Sequence, residues 1–292
     1  MLKKIFKSAK KLVQKAAPVI GAGLGYLYGG PALGGALGSG LGAGIGSLVG
    51  GRSPQESLRN ALLGGAAGYG ANVAIIEGDQ IGGPYELAQI FSKSLEYKNG
   101  FDESDLRNRY LDWWRGDAFD TGPTYASVFN KINKGMDPKL AVKKVHEEFG
   151  LNTAGCGPAH RASPLAGMTN IPANQLVFIA REEAKITHYD VEAGNGSAIF
   201  VMLCRYLLEG KSLEEAESHI SIHKDLKDSW IKLQNAELKP DGYIYNVIFS
   251  ALHFIKQNKT LKESIKFSGK ANYSSIIFSV LDLIMRNNQK LS

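Results

Sequence analysis

The sequence predicts an all-α protein, and two patterns carry that prediction. After residue 86, apolar residues recur almost continuously at the spacing of about 3.6 residues that places them on one face of a helix. No stretch alternates between apolar and polar residues as a half-buried strand does. With 44% hydrophobic and 21% charged residues, the 292-residue chain is apolar enough to fold around a core.

The first predicted element is a basic amphipathic helix over residues 1–15, with six lysines on one face and an apolar opposite face. The apolar residues are Leu2, Ile5, Phe6, Ala9, Leu12 and Val13. Such a helix adsorbs to an anionic membrane surface, where each lysine contributes about 1 kcal/mol. The alternative is an arm that docks on a partner or touches DNA.

Residues 16–52 are predicted to form a glycine zipper. No charge occurs from Ala16 to Gly51, and glycine recurs at every fourth position beside branched aliphatic residues. The regular glycines are Gly34, Gly38, Gly42, Gly46 and Gly50. Because each glycine costs a water-exposed helix roughly 1 kcal/mol, the segment needs close packing, as in a membrane-active or oligomerising hairpin. The alternative is a flexible tether.

A connecting helix is predicted over residues 53–73. Ser53 is suited to its N-cap, Pro54 to its first turn and Glu56 to a capping box. In the body that follows, five further signals mark helix ends. They are an Asp102 cap, a helix from Pro138 to Gly150, a helix from Asp190 to Gly210, and capping boxes at Ser212/Glu215 and Thr260/Glu263.

The net charge of +6 comes entirely from the N-terminal arm. Residues 1–55 contain seven basic residues and no acidic residue, so the rest of the chain sums to −1. The body is therefore not predicted to recognise nucleic acid.

Cysteines and histidines give weak signals. Two cysteines, Cys156 and Cys204, cannot make a disulfide framework. Cys156 precedes His160 by four residues, which allows a thiol nucleophile, although a small residue in a tight loop explains it better. His219 and His223 have the spacing of metal ligands, but no third ligand accompanies them.

Five segments of the body resemble, in order and spacing, the motifs of the ADP-ribosylglycohydrolase family. They are AIIEGDQIGGPYE at 74–86, FDTGPTY at 119–125, NTAGCGPAHRASPLA at 152–166, ITHYDVEA at 186–193 and DGYIYNVIFSALHF at 241–254. The resemblance places a family domain at residues 74–292 and implies an orthogonal helix bundle. It also implies cleavage of an ADP-ribose linkage with two Mg²⁺ ions, which bind the ribose hydroxyls and activate water.

The two loops that hold these ions in the family have no counterpart here. Either the first loop is missing, or its aspartates are replaced by Gly83 and Pro84. At the second loop, Lys270, Asn272 and Tyr273 replace two aspartates and a threonine. Since Mg²⁺ requires oxygen ligands with carboxylate charge, we expect no metal and no other cofactor.

The resemblance leaves Glu86 and Asp120 as catalytic residues if the domain is active. It implies vestigial ligand binding by a further set of residues. These are Asp79, Thr153, Gly155, Cys156, Gly157, Arg161 and His188. Each also has a structural interpretation, because aspartate can cap a helix, histidine can hydrogen-bond a turn and glycine can serve backbone geometry.

The N-terminal segment is similar in composition and period to small internal or ejection proteins of tailed phages. The favoured interpretation is a structural protein of the virion interior or host envelope, with a degenerate, non-catalytic domain. Its partners would be a membrane or a helical bundle through residues 1–52, further copies of the chain, and other virion proteins. The alternative is a membrane-associated cytoplasmic enzyme that removes ADP-ribose from protein side chains.

Overall fold

The computed structural model describes residues 83–268 except 117 and 119, and residues 274, 277, 278, 280–282, 284 and 285. The regular structure in these residues is helical, and this part of the chain contains no strand. One isolated antiparallel bridge joins Gly155 to Tyr243. The prediction of an all-α fold is confirmed.

Eleven helices are bounded within the described residues. They are α1 (Gly83–Lys98), α2 (Glu103–Arg115), α3 (Pro123–Asn133), α4 (Pro138–Glu148), α5 (Gly157–Ala166), α6 (Ala173–Ala184), α7 (Val191–Leu208), α8 (Leu213–Ser221), α9 (Lys227–Gln234), α10 (Ile244–Lys256) and α11 (Leu261–Ser268). The described residues between 274 and 285 are also helical.

The chain divides into two compact units. One consists of Glu86–Asp282, and the other combines Met1–Tyr85 with Leu283–Ser292. The first unit contains ten of these helices and most of α1, and of the second only residues 83–85, 284 and 285 are described.

The three predicted N-terminal elements lie outside the described residues. They are the amphipathic helix at 1–15, the glycine zipper at 16–52, with Gly34, Gly38, Gly42, Gly46 and Gly50, and the connecting helix at 53–73. Asp79 and the segment 269–273 also lie outside them. None of the helices that could be searched, those of the described part, has the length and apolar character needed to cross a membrane.

Local capping signals set several helix starts, as the sequence predicts. The Asp102 side chain accepts a hydrogen bond from the backbone N–H of Asp105 at 2.9 Å and so caps α2. Ser212 and Glu215 form the reciprocal capping box of α8. These bonds satisfy N–H groups that have no partner within the first turn of a helix.

Helix ends also follow the predicted signals. Pro138 opens α4, and Gly150 follows its end with a φ of +63°. Asp190 caps α7, and Gly210 follows that helix with a φ of +86°. Glycine adopts this left-handed conformation without a steric penalty, and it therefore stops a helix readily.

Helix α7 forms the centre of the core and is buried on nearly all sides. Its fully buried side chains include Phe200, Val201 and Leu203. Burying a side chain of this size contributes about 1.5–3 kcal/mol. The helix packs against α5 and α6, and also against the start of α10.

Two glycines let neighbouring helices approach α7. A Cβ atom on Gly196 would lie 2.7 Å from Cγ1 of Ile244, whereas one on Gly194 would lie 3.4 Å from Cα of Arg181. Gly196 is therefore required for the close approach of α10 to α7. That approach places the segment just before Ile244 against the candidate site.

Candidate functional site

The centre of the candidate site is the glycine turn, residues 153–157, which leads into α5. The backbone N–H of Cys156 donates to the carbonyl of Gly242 at 3.0 Å, and the N–H of Ile244 donates to the carbonyl of Ala154 at 3.0 Å. The turn is thus fixed to the start of α10. Two of the five sequence motifs, at 152–166 and 241–254, meet at this point.

His188 lies directly against this turn. A Cβ atom on Gly155 would lie 3.3 Å from Nε2 of the imidazole, and one on Gly157 would lie 3.3 Å from Cε1. These distances are tighter than ordinary van der Waals contacts, so glycine at both positions leaves room for the ring. The structure therefore brings together Gly155, Gly157 and His188, three of the residues that the resemblance relates to ligand binding.

Arg161 continues inward from the turn into a buried polar network. Its Nε donates to Oε1 of Glu183 at 2.6 Å, and its Nη2 donates to Oγ1 of Thr187 at 2.8 Å. The Tyr110 hydroxyl donates to the same Glu183 oxygen at 3.0 Å. The Arg161 and Glu183 side chains are 2% and 0% exposed, so the ion pair is shielded from solvent. Both residues have the structural role that burial demands of a charged pair.

Aromatic rings and charges around this pair shift nearby pKa values. The guanidinium carbon of Arg161 lies 5.5 Å from the Tyr110 ring centroid, close enough for a cation–π contact. Burial, followed by the Glu183 charge, raises the pKa of Tyr110 well above its usual range. Burial, followed by the Arg161 charge, lowers the pKa of His188 well below its ordinary value. His188 is therefore neutral at pH 7.

Thr153 is held from outside the motif by His146. The Nδ1 atom of His146 lies 2.7 Å from Oγ1 of Thr153, which is buried. The His146 ring also contacts the ring of Tyr189, with centroids 5.1 Å apart. Helix α4 therefore supports the entry to the glycine turn.

Cys156 precedes the first residue of α5 and is buried. Burial raises the pKa of its thiol to about 12. Since the thiolate is the nucleophile, a thiol of this pKa is inert near neutral pH. The interpretation of Cys156 as a small residue in a tight loop agrees with the structure. The second cysteine, Cys204, is also buried, and both thiols are free.

Glu86 lies on α1 and is half-buried. Its Oε2 accepts a hydrogen bond from the indole Nε1 of Trp113. The Trp113 ring in turn contacts Tyr125, with centroids 5.8 Å apart. Tyr125 belongs to the first turn of α3, so Glu86 and the 119–125 motif share one neighbourhood.

Asp120 lies in the turn before α3. It is exposed, and its backbone has a φ of +47°. Gly122, rather than Asp120, occupies the N-cap position of α3. The helix-capping alternative for Asp120 is therefore wrong, because the chain needs two more residues before the helix begins.

Four residues that contact the motif residues lie outside the five motifs. They are Tyr110, Trp113, His146 and Glu183. Glu183 had a detectable signal, because it follows Leu176 and Ala180 on the buried face of α6 at helical spacing. A carboxylate on such a face requires a buried partner, and Arg161 supplies it.

The described residues do not fit a pair of Mg²⁺ ions. Within the part of the chain that the structure describes, no group of three His, Cys, Asp or Glu side chains is placed to hold a metal ion. His219 instead lies 2.7 Å, through Nδ1, from the carbonyl of Glu215. The segments 74–82 and 269–273, which the resemblance relates to the metal loops, lie outside the described residues, so the expectation of no cofactor stays a prediction.

A surface groove of about 480 Å³ lies elsewhere, between the end of α3 and the end of α4. Lys131 and Glu148 line it and form an ion pair of 2.8 Å. The groove shares no residue with the candidate site.

The helices and the glycine turn define an all-α domain in which two of the five sequence motifs meet. The family model for ADP-ribosylglycohydrolase matches residues 24–273, which is most of the chain. The chain belongs to the ADP-ribosylglycohydrolase family. The match begins within the glycine-rich segment, and the domain boundary at residue 74 stays a prediction.

Solved structures agree with this assignment at the level of the fold. One described as an ADP-ribosylglycohydrolase-related protein complex is 22% identical, and the alignment covers 69% of this chain and 70% of that chain. Its TM-score is 0.54. No sequence among the curated proteins matches this chain.

Proposed function

We propose that this chain is a non-catalytic member of its family and serves as a structural protein of the phage-virion type. The observation that carries the proposal is the environment of Glu86. Its carboxylate accepts a hydrogen bond from Trp113, and the described residues near it form no acidic cluster. The replaced residues at the metal loops, Lys270 and Asn272, support the same conclusion.

The rate enhancement available without metal ions supports the absence of catalysis. General acid–base help from one or two carboxylates supplies about 10²–10⁴-fold in rate. In metal-dependent hydrolysis, the ions also polarise the substrate and lower the pKa of the attacking water. Glu86 and Asp120 alone would lack that contribution, so we expect a rate too small to detect.

Activity is the direct test. The full chain is incubated with an ADP-ribosylated protein in millimolar Mg²⁺, and the released ADP-ribose is measured. We expect a signal equal to the blank, both for the wild type and for Glu86→Gln. Turnover by the wild type that disappears in Glu86→Gln would overturn the proposal.

Metal binding gives a second, independent measurement. An ion that binds only the folded state, with a Kd a hundredfold below its concentration, would stabilise the protein by about 2.7 kcal/mol. We expect no rise in the melting temperature of the full chain on addition of millimolar Mg²⁺. A clear rise contradicts the metal-free interpretation even if turnover is absent.

The N-terminal part of the proposal is that residues 1–52 contact a membrane or pack with further copies of the chain. Six lysines beside an apolar face suit an anionic surface, and the glycine stripe suits close helix packing. Partners among other virion proteins would bind through the same segment.

Gly42→Leu tests the stripe, because a branched side chain would push a packed backbone away. We expect weaker liposome leakage and a smaller oligomer than for the wild type. Ala43→Leu is the matched control, since it places the same leucine side chain beside the stripe. Equal behaviour of Gly42→Leu and the wild type in both assays would identify a flexible tether instead.

A second candidate function is hydrolysis of ADP-ribose from protein side chains, and the glycine turn with His188 favours it. Restoring carboxylates at one loop, by Lys270→Asp and Asn272→Asp, would not create activity under the main proposal, because the first loop would still lack its aspartates. Activity in that double variant would promote this candidate.

A further inference from the structure

Thr187 lies between a charged donor and an imidazole. Its Oγ1 accepts a hydrogen bond from Nη2 of Arg161 at 2.8 Å and lies 2.7 Å from Nδ1 of His188. Thr187 is 0% exposed, so no solvent reaches its hydroxyl. The direction of the second hydrogen bond decides which nitrogen of His188 carries the proton.

Counting protons settles that direction. Arginine only donates, so the Thr187 oxygen must accept from Arg161. The hydroxyl has one proton, and a buried hydroxyl proton without an acceptor would be costly. If Nδ1 of His188 donated to Thr187, the hydroxyl proton of Thr187 would need another acceptor.

The Glu183 carboxylate belongs to the same network and could also accept a hydrogen bond. Its Oε2 is buried and has no hydrogen-bond partner, so the Thr187 hydroxyl does not reach it. No hydrogen bond within the described part of the chain gives Thr187 any acceptor except Nδ1 of His188. The hydroxyl therefore donates to Nδ1.

We infer that Arg161 and Thr187 are positioning residues that fix His188 as the Nε2–H tautomer, so that its ring offers a neutral N–H donor toward the glycine turn. Nε2 is the ring atom nearest to the position that a Cβ atom would occupy on Gly155. Glu183 belongs to this arrangement because it orients Arg161 through Nε. The chain of bonds runs from Glu183 through Arg161 and Thr187 to His188.

This arrangement limits what the turn can bind. A neutral N–H donor beside backbone of small residues suits a hydrogen-bond acceptor and requires no second cation next to Arg161. This consequence for a ligand rests on the proposed position of the site, whereas the tautomer does not.

Nuclear magnetic resonance of the full chain, with ¹⁵N in the rings of its six histidines, tests the inference. Long-range ¹H–¹⁵N correlations identify the protonated nitrogen of each ring, and the loss of one signal set in His188→Gln assigns His188. At pH 7 we expect a proton on Nε2 and none on Nδ1. A proton on Nδ1 of the wild type overturns the inference.

The variants Thr187→Ser and Thr187→Val separate positioning from simple packing. Serine keeps the hydroxyl, and we expect the wild-type pattern; valine removes it, and we expect a mixture of tautomers. Thr153→Val is the matched control, because it removes the hydroxyl beside His146 and should alter the His146 signals alone. A Thr187→Val variant that keeps the pure Nε2–H pattern would overturn the positioning role.

Should Thr187→Val fail to fold, the wild-type and Thr187→Ser spectra still decide the tautomer. No ligand or turnover is needed, so a failure here is distinct from a failure of the proposed function.

Discussion

The glycine-turn region and the Glu86 region are held in different ways. Around the turn, the ion pair of Arg161 and Glu183 is buried with its hydrogen-bonding partners. Glu86 is half-buried and is held by an indole N–H of a half-buried ring. A buried polar group must keep its partner, whereas an exposed one can bond to water. The stability of the fold therefore requires the side-chain contacts of the first region. The second could change without affecting the fold.

This difference bears on the interpretation of the motifs. The match at 152–166 and 186–193 includes Arg161 and His188, whose positions packing alone would explain. A family motif in such a region indicates the fold more directly than it indicates activity. The resemblance relates catalysis to Glu86, and the family's metal loop in this part of the chain has no counterpart in the sequence.

Breaking the buried ion pair should have the largest effect. Glu183→Ala leaves Arg161 charged and unpaired in the core, and we expect a loss of about 3–5 kcal/mol in the free energy of unfolding. Arg107→Ala removes a partly exposed ion pair of 2.6 Å on α2 and should cost at most about 1 kcal/mol. Urea unfolding measures both. Similar losses in the two variants would contradict the distinction between buried and exposed polar regions.

The contact that fixes the turn through α10 should give the next effect. Gly196→Ala places a Cβ atom 2.7 Å from Cγ1 of Ile244, and we expect a cost of about 1–3 kcal/mol from overpacking. Gly194→Ala is the matched control on the same helix, since its Cβ would lie 3.4 Å from the nearest atom. We expect thermal unfolding to separate the two variants. Equal melting temperatures would show that α10 moves away without cost.

The pH dependence of stability should reveal the burial of His188. Its pKa is lowered in the folded protein, so the unfolded chain takes up a proton first as the pH falls below the ordinary value of 6.5. This contribution to stability is complete above pH 6.5 and is lost below it, by about 1.4 kcal/mol per pH unit. His188→Gln should therefore show a weaker loss of stability between pH 6.5 and 5 in urea titrations. Parallel curves for the variant and the wild type would contradict the neutral, buried state of His188.

Much of the fold could be predicted from the sequence because helix ends depend on local signals. Asp102 and Ser212 act within their own first turns, so neighbouring residues suffice to identify them. The apolar run of α7 likewise marks a buried helix. These features need no knowledge of distant contacts.

The site was less predictable because its bonds join distant parts of the chain. Tyr110 meets Glu183 across 73 positions, and Trp113 meets Glu86 across 27. Motifs identified one member of several contacts, such as Arg161, and tertiary packing supplied the other. The position of Glu183 on an apolar helix face could have indicated a buried pair, but it could not have named the partner.

The smallest effect is expected in the Glu86 region. Glu86→Gln keeps an oxygen that can accept the hydrogen bond of the Trp113 indole, and the half-exposed side chain can also bond to water. We therefore expect the free energy of unfolding to change by no more than about 0.5 kcal/mol, as for an ordinary surface substitution.

Trp113→Phe removes the donor while keeping an aromatic ring beside Tyr125, so it separates the hydrogen bond from the packing. Urea unfolding of both variants, beside Glu183→Ala, compares the two regions directly. A loss above about 2 kcal/mol in Glu86→Gln would mean that this carboxylate is as deeply built into the fold as Glu183. The glycine-turn region and the Glu86 region would then not differ in their importance for the stability of the fold.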